Sequence, residues 1–269
     1  MAQRNSEDAV DSLDDTAAPG GALPAPHPPL TTYYAAAADR DGFVRDLFNQ
    51  AAGSYDRINA AFSLGSGAWY RRRALLRGGL QPHQTLLDVA VGTGLVAREA
   101  VRILGCPARV VGLDLSEGML AEARRGLAIP LIRGRAEALP VADASFDFVS
   151  MGYALRHVPD LAVAFAEYRR VLRPGGRLLL LEIGRPSGRA AYAAARFYLN
   201  TVVPALSRWL GGGRRASRMM HYYWDTIDAC VPPGVITAGL EAAGFTQVQC
   251  DVQLGIFRAY MARRPGGPG

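Results

Sequence analysis

The chain has 269 residues, 49% of them apolar, which suffices for one large buried core or a core plus a cap. Its formal charge is +6, and all 30 basic residues are arginine, spread along the chain with local clusters only at Arg71-Arg72-Arg73 and Arg214-Arg215. That spread argues against a nucleic-acid-binding surface. The longest apolar runs fall short of a membrane span, and the three separated cysteines have no metal-ligand spacing.

Residues 1–32 are rich in Ala, Pro, Gly, Ser and Asp and nearly free of large apolar side chains, so a disordered tail is expected there, followed by one domain over 33–269. The tail lacks the apolar core of a secretory signal. Reduced thiols and the absence of a span point to a cytoplasmic protein, with contact at the inner face of a membrane and a homodimer left open.

Helical spacing starts near Asp41, with Phe43, Leu47, Phe48 and Ala51 on one face, and a second helix is expected over 68–77, stopped by Gly78-Gly79. Strands and helices then alternate. Strands are expected at 85–89, 110–114, 131–134, 146–152 and 177–182, with helices at 94–104, 117–126 and 160–172 and a turn at Pro174-Gly175-Gly176. Continuously apolar strands separated by helices imply a parallel sheet covered on both faces. Residues 187–228 break the rhythm as a helical cap carrying Tyr192, Phe197, Tyr198, Trp209, Tyr222, Tyr223 and Trp224. A helix at 237–243 and strands at 246–254 and 256–262 follow, joined by Gly255, so the sheet should end in an antiparallel hairpin. The fold class is therefore α/β, a Rossmann-like, doubly wound, mostly parallel seven-stranded sheet.

The chemistry concentrates after the first strand. Asp88 ends it, Gly92-Thr93-Gly94 follows, and Asp114 ends the second strand. Glycines admit a ligand close to the backbone, and an acid at the second strand's end accepts hydrogen bonds from ribose hydroxyls. Gly92-x-Gly94-x-x-Ala97 also fits the dinucleotide fingerprint, but a carboxylate at Asp88 repels a pyrophosphate and suits the ammonium of an amino-acid moiety.

With the segments 134–152 (GRAEALPVADASFDFVSMG) and 171–182 (VLRPGGRLLLLE), this layout resembles class I S-adenosylmethionine-dependent methyltransferases, and within them the ubiquinone/menaquinone biosynthesis C-methyltransferases (UbiE-type). Residues 54–72 (SYDRINAAFSLGSGAWYRR) and 136–160 are similar to that family's two signatures. The resemblance implies S-adenosyl-L-methionine as cofactor, with no metal. Gly92, Thr93 and Gly94 would lie along its methionine and ribose, Asp88 near its ammonium and Asp114 on the ribose. Leu115 and Met119 would wall the adenine, Arg135 and Ala136 would sit at its edge, and Tyr55 would cover the cofactor. Arg156 and His157 fall where the acceptor ring would sit. Arg156 would stabilise a phenolate and His157 would act as base, each set against a structural reading as an ion pair or a packing residue. His221, Tyr222 and Tyr223 would reach the acceptor from above. Asp147 reads as a strand-edge residue, not a substrate contact.

The chain departs from the family pattern at Leu95, Arg135, Gly152 and His157. The implied partner is a small molecule, an apolar-tailed aromatic or quinol. An O- or N-methyltransferase of another small molecule or lipid, or a non-catalytic cofactor-binding subunit of a quinone-synthesis complex, stays open.

Overall fold

A computed structural model describes residues 25–63, 65–209 and 213–267. Seven strands form one sheet: β1 (Leu86–Val89), β2 (Val110–Asp114), β3 (Leu131–Arg133), β4 (Phe146–Gly152), β5 (Leu172–Ile183), β6 (Thr246–Gln253) and β7 (Phe257–Arg263). Their spatial order is β3-β2-β1-β4-β5-β7-β6. The first five run parallel, and β7 inserts antiparallel between β5 and β6. Every residue of β1 is buried, as expected of a central strand with helices on both sides.

The helices are α1 (Arg40–Ser63), α2 (Gly67–Arg77), α3 (Leu95–Leu104), α4 (Glu117–Gly126), α5 (Leu161–Val171), α6 (Arg189–Phe197), α7 (Val203–Trp209), α8 (Gly213–Asp228) and α9 (Pro233–Ala242). On one face of the sheet Phe165, Tyr168 and Leu240 of α5 and α9 pack on Leu87, Val149 and Leu180. On the other, Leu75, Ala97, Ala100 and Leu120 of α2, α3 and α4 cover Leu86, Phe148 and Leu179. A third core lies over the strands' C-terminal edge, where Leu47 and Ile58 of α1 meet Leu199, Met219, Tyr222 and Trp224 of the cap. Helix starts follow local chemistry: the Ser116 and Asp160 side chains accept from Met119 N and Val163 N as N-caps.

Several boundaries differ from expectation. Strand β5 begins at Leu172, and the Pro174-Gly175-Gly176 turn is absorbed as an irregularity in it: Phe146 pairs with Leu172 but Phe148 pairs with Arg177. Gly175, at φ +79°, makes that excursion, and its N–H donates to Arg264 O. Helix α9 starts four residues early, with Pro233 at its first turn, where a missing N–H costs nothing. Residues 25–32, expected in the tail, pack on the domain. His27 is buried and paired with Arg40, and Val231 N donates to Pro26 O. The rest of the expected tail, 1–24, lies outside the described residues, as does the Trp209 side chain.

The C-terminal edge is tied together by a buried ion pair. Arg156, fully buried in the turn after β4, pairs with Glu182 of β5. Its Nε donates to Thr226 Oγ1 of α8 at 3.0 Å, and its guanidinium lies 3.9 Å from the Tyr223 ring centroid. Glu182 Oε1 accepts from Leu155 N at 2.8 Å, and Arg40 of α1 donates to Arg156 O at 3.1 Å. No helix among the described residues is long and apolar enough to cross a membrane.

Glu182→Ala should destabilise the protein by about 3–5 kcal/mol, because it strands a buried guanidinium. The double change Arg156→Met with Glu182→Leu should cost less than either single change. Urea unfolding of the three variants checks this, and additive losses would show that the pair is not one unit.

Candidate functional site

Two cavities open at the sheet's C-terminal edge. The first is walled by the ends of β1, β2 and β4 and covered by α1. Helix α1 presents Asp41, Val44, Arg45, Phe48 and Tyr55 to it, a single helical stripe. The floor is the loop after β1. Ala90, Gly92 and Gly94 all take positive φ there, and a Cβ placed on Gly92 would meet nothing within 4 Å. The backbone is thus bare toward the cavity at Gly92, whereas Gly94 is required by packing, since its Cβ would strike Leu127.

Asp114 faces this cavity. Its Oδ2 accepts from Gly92 N and its Oδ1 from Ser116 N, both at 2.8 Å, which joins the glycine loop to the start of α4. Asn49 of α1 closes the joint by accepting from Ser116 Oγ at 2.6 Å and Gly118 N at 2.9 Å. Burial raises Asp114 to about 6, against the hydrogen bonds from Ser116 and Gly92. Leu115, Met119, Arg135 and Ala136 line the same cavity. Arg135, at a position of family divergence, pairs with Asp41 on α1 and lies 3.7 Å from Glu137.

Asp88 and Thr93 stand behind the loop rather than on the cavity wall. Asp88 Oδ1 accepts from Ser150 Oγ at 2.7 Å, while its buried Oδ2 has no partner. Burial raises its carboxyl to about 7. Thr93 Oγ1 donates to Asp56 Oδ1 at 2.5 Å and so fastens the loop to α1. Asp147 accepts from Thr85 N and Oγ1 and from Arg173, an edge role as expected.

His157 lines the first cavity. Its ring stacks on Tyr222 at 5.5 Å and meets Phe48 edge-on at 5.4 Å. Nδ1 lies 3.4 Å from the Tyr222 hydroxyl, and the buried Nε2 has no partner. Burial, reinforced by Arg156, holds the imidazole well below its usual pKa, so it is neutral. Arg156, the neighbour expected to share the ring, lines neither cavity. Its guanidinium is engaged by Glu182, Thr226 and Tyr223, so direct contact with an acceptor is not what this geometry offers. The divergence at Gly152 also has a packing cause: any Cβ there would lie 2.7 Å from Val96 Cγ2.

The second cavity, larger than the first, shares with it the walls Tyr55 and Tyr153. Ile58, Trp69, Tyr70, Met219, Met220, Tyr223, Leu254 and Phe257 make it largely apolar and aromatic, and among the described residues Arg71 is its one charged lining residue. Of the three cap residues expected to reach the acceptor, Tyr223 lines this cavity, whereas Tyr222 lies buried against His157 and His221 faces solvent. Tyr153 sits between the cavities with φ +62°, an outlier for a non-glycine residue that is held by its N–H to Leu181 O at 2.7 Å. Sequence reasoning missed Tyr153, Arg71 and the α1 stripe apart from Tyr55. The 3–4 spacing of Asp41, Val44, Arg45 and Phe48 was the available signal.

A sheet in this order, with a bare glycine loop and an acid at the end of β2 facing one cavity, defines a class I S-adenosylmethionine-dependent methyltransferase. Residues 35–261 match the ubiE/COQ5 methyltransferase family, and the chain belongs to that family. It is 34% identical over 226 residues to a demethylmenaquinone methyltransferase of Symbiobacterium thermophilum, covering 80% of this chain and 89% of that one. It is 35% identical over 224 residues to a ubiquinone/menaquinone biosynthesis C-methyltransferase UbiE of Methylobacterium nodulans, covering 78% and 85%. Among solved structures, an S-adenosylmethionine-dependent methyltransferase from Thermotoga maritima, described as a possible histamine N-methyltransferase, shares the fold. Its TM-score is 0.56 at 20% identity, over 82% of this chain and 99% of that one. The cofactor of this enzyme is S-adenosylmethionine. The residues present suit it: open backbone at Gly92, a carboxylate at Asp114, and at Asp88 a buried oxygen without a partner for a cationic group.

Both raised carboxyls make the cofactor-free protein less stable as pH climbs. Above pH 3.8 the unfolded chain has released protons that the folded state still holds, up to about pH 7 for Asp88, so stability falls across that window. Asp88→Asn should therefore gain on the wild type from pH 4 to about 7 and then hold its advantage. Urea midpoints across that range check it, and parallel pH profiles would sink it.

Proposed function

We propose that this enzyme methylates a ring carbon of a quinol-type aromatic acceptor that carries an apolar tail. One observation carries the reading. The cofactor cavity shares Tyr55 and Tyr153 with a larger, aromatic-lined chamber of the size and polarity such an acceptor needs. The names of the curated relatives support it.

When bound, S-adenosylmethionine supplies an electrophilic methyl group on a sulfonium. Asp114 would hold the ribose hydroxyls; Leu115 and Met119 would wall the adenine; Ala136, with Arg135 beside it, would lie at the adenine edge. Gly92 would lie along the methionine and ribose with Thr93 and Gly94 holding its loop from behind, Asp88 would offer its unpartnered carboxyl oxygen to the ammonium from behind that loop, and Tyr55 would cover the cofactor and separate it from the chamber. Proximity and alignment of the two cavities supply much of the rate. A ring carbon becomes nucleophilic when the ring hydroxyl loses its proton, and His157, whose Nε2 has no partner, accepts it against the lowering of its pKa by burial and Arg156. Arg156 is a positioning residue: through Glu182 and Leu155 N it fixes the turn that aims His157.

The chamber's wall includes Trp69, 60% exposed, and Leu254, 87% exposed, with Arg72 and Arg73 exposed nearby in sequence. This rim contacts a membrane surface from which a tailed acceptor enters.

Complementation of a strain lacking its quinone C-methyltransferase should restore methylated quinone by mass analysis, with the protein partly in the membrane fraction. A demethyl pool would sink the acceptor assignment, and a wholly soluble enzyme the rim contact. Asp114→Ala should weaken S-adenosylmethionine binding by about 1–3 kcal/mol, the usual loss of a charged acceptor. Unchanged affinity by calorimetry would remove Asp114 from the ribose.

A further inference from the structure

The first residue of the Arg71-Arg72-Arg73 cluster is the only one of the three that turns inward. Arg71 lies on α2, is 5% exposed, and lines the acceptor chamber. A guanidinium carries five N–H donors in a planar fork and stays charged at any working pH. Here Nη2 donates to Asn59 Oδ1 at 2.7 Å, and the buried Nε has no partner. The guanidinium carbon lies 5.6 Å from the Tyr153 ring centroid. Among the described residues no carboxylate forms an ion pair with it. The surrounding groups are Tyr55 and Asn59 on α1, Gly67 and Tyr70 on α2 and Tyr153 after β4, all neutral; Asp88 feels its charge without contact. Gly67 makes the seat, since a Cβ there would lie 2.7 Å from Arg71 Nη1.

Burying a cation beside neutral groups alone is costly, and proteins normally place a carboxylate there. Among the described residues the chamber wall thus holds one uncompensated positive charge and otherwise only neutral groups, next to the two tyrosines that separate it from the cofactor. The complement is one negative oxygen on a largely apolar molecule.

We propose that Arg71 anchors the methyl acceptor through an ionised ring oxygen, so that the chamber selects phenols and quinols as their anions over isosteric rings without an acidic hydroxyl. The inference rests on the chamber being the acceptor site and deepens that reading. Arg71 selects the acceptor by charge; the proton that the ring hydroxyl gives up on binding leaves with the base or with solvent.

The full-length protein, saturated with S-adenosylhomocysteine, should be titrated with 4-nitro-1-naphthol, whose anion absorbs in the visible, and with 1-nitronaphthalene, which lacks the hydroxyl. On the wild type the bound naphthol should ionise about one pH unit or more below its value in water. An unchanged or raised value overturns the proposal without any variant. Arg71→Met should weaken naphthol binding about tenfold or more, the loss expected for a charge-assisted hydrogen bond. It should leave nitronaphthalene and S-adenosylhomocysteine affinities within about twofold, far below one tenfold step. Arg71→Lys should recover part of the naphthol affinity and part of the ionisation shift. Equal losses for both rings would make Arg71 a packing residue and overturn the assignment. A demethyl quinone pool in the complementation experiment sinks the quinone reading alone, because the phenolate preference is read on the naphthols.

Discussion

The buried charge at Arg156 constrains the whole C-terminal edge of the sheet. A guanidinium removed from water needs partners close at hand, and Nη2 alone of this one's nitrogens has none. Here Glu182 meets it from β5, Thr226 and Tyr223 from α8, and Arg40 of α1 holds the carbonyl of the same residue. Burial works against the charge, but Glu182 outweighs it and holds Arg156 above its ordinary pKa. Sheet, cap and N-terminal helix therefore come together at one residue, and the turn that follows β4 has little freedom. That turn carries Tyr153 at one end and His157 at the other, so the wall between the cavities inherits its shape from an ion pair that touches neither of them.

Helix α1 completes the site from above. Its stripe from Asp41 to Tyr55 covers the cofactor cavity, and one turn further Ile58 and Asn59 line the chamber. It is fastened at separate points: Asn49 to the start of α4, Asp56 to Thr93, and Asp41 to Arg135. The last of these explains how Arg135 is accommodated, since the arginine at the cavity rim gains a carboxylate from the covering helix. Gly152 belongs with Val96 in the same way. Both divergences are paired with a neighbour that makes them fit.

The parts legible in the sequence are those written locally. Asp114, Leu115 and Met119 fall within six residues on a strand end and the next helix start, so a motif places them, and the alternation of strands and helices was enough for the sheet. The parts that escaped depend on partners distant in the chain. Whether Arg156 faces a substrate or a carboxylate is settled by Glu182, 26 residues on, and by Thr226, 70 residues on. The packing of residues 25–32 escaped because composition suggested a tail, while one buried histidine against Arg40 and one backbone bond to Val231 hold the segment to the domain. Tyr153 escaped because nothing in a tyrosine announces a left-handed backbone.

Of the three buried arginines of this edge, Arg40 is spent on His27 and on the Arg156 carbonyl, and the other two are best understood against each other. Both are at least 95% buried and both lie beside an aromatic ring. Arg156 has a carboxylate, a hydroxyl and a stacked tyrosine, with only Nη2 unpaired, and it lines neither cavity. Arg71 has one neutral amide partner, no carboxylate among the described residues, and a cavity in front of it. Folding alone accounts for the first, because its charge is matched within the protein. It does not account for the second, whose charge costs stability in the free enzyme and is compensated only when something anionic enters. A cost retained at the wall of an acceptor chamber is what a protein accepts when the missing partner arrives with the substrate.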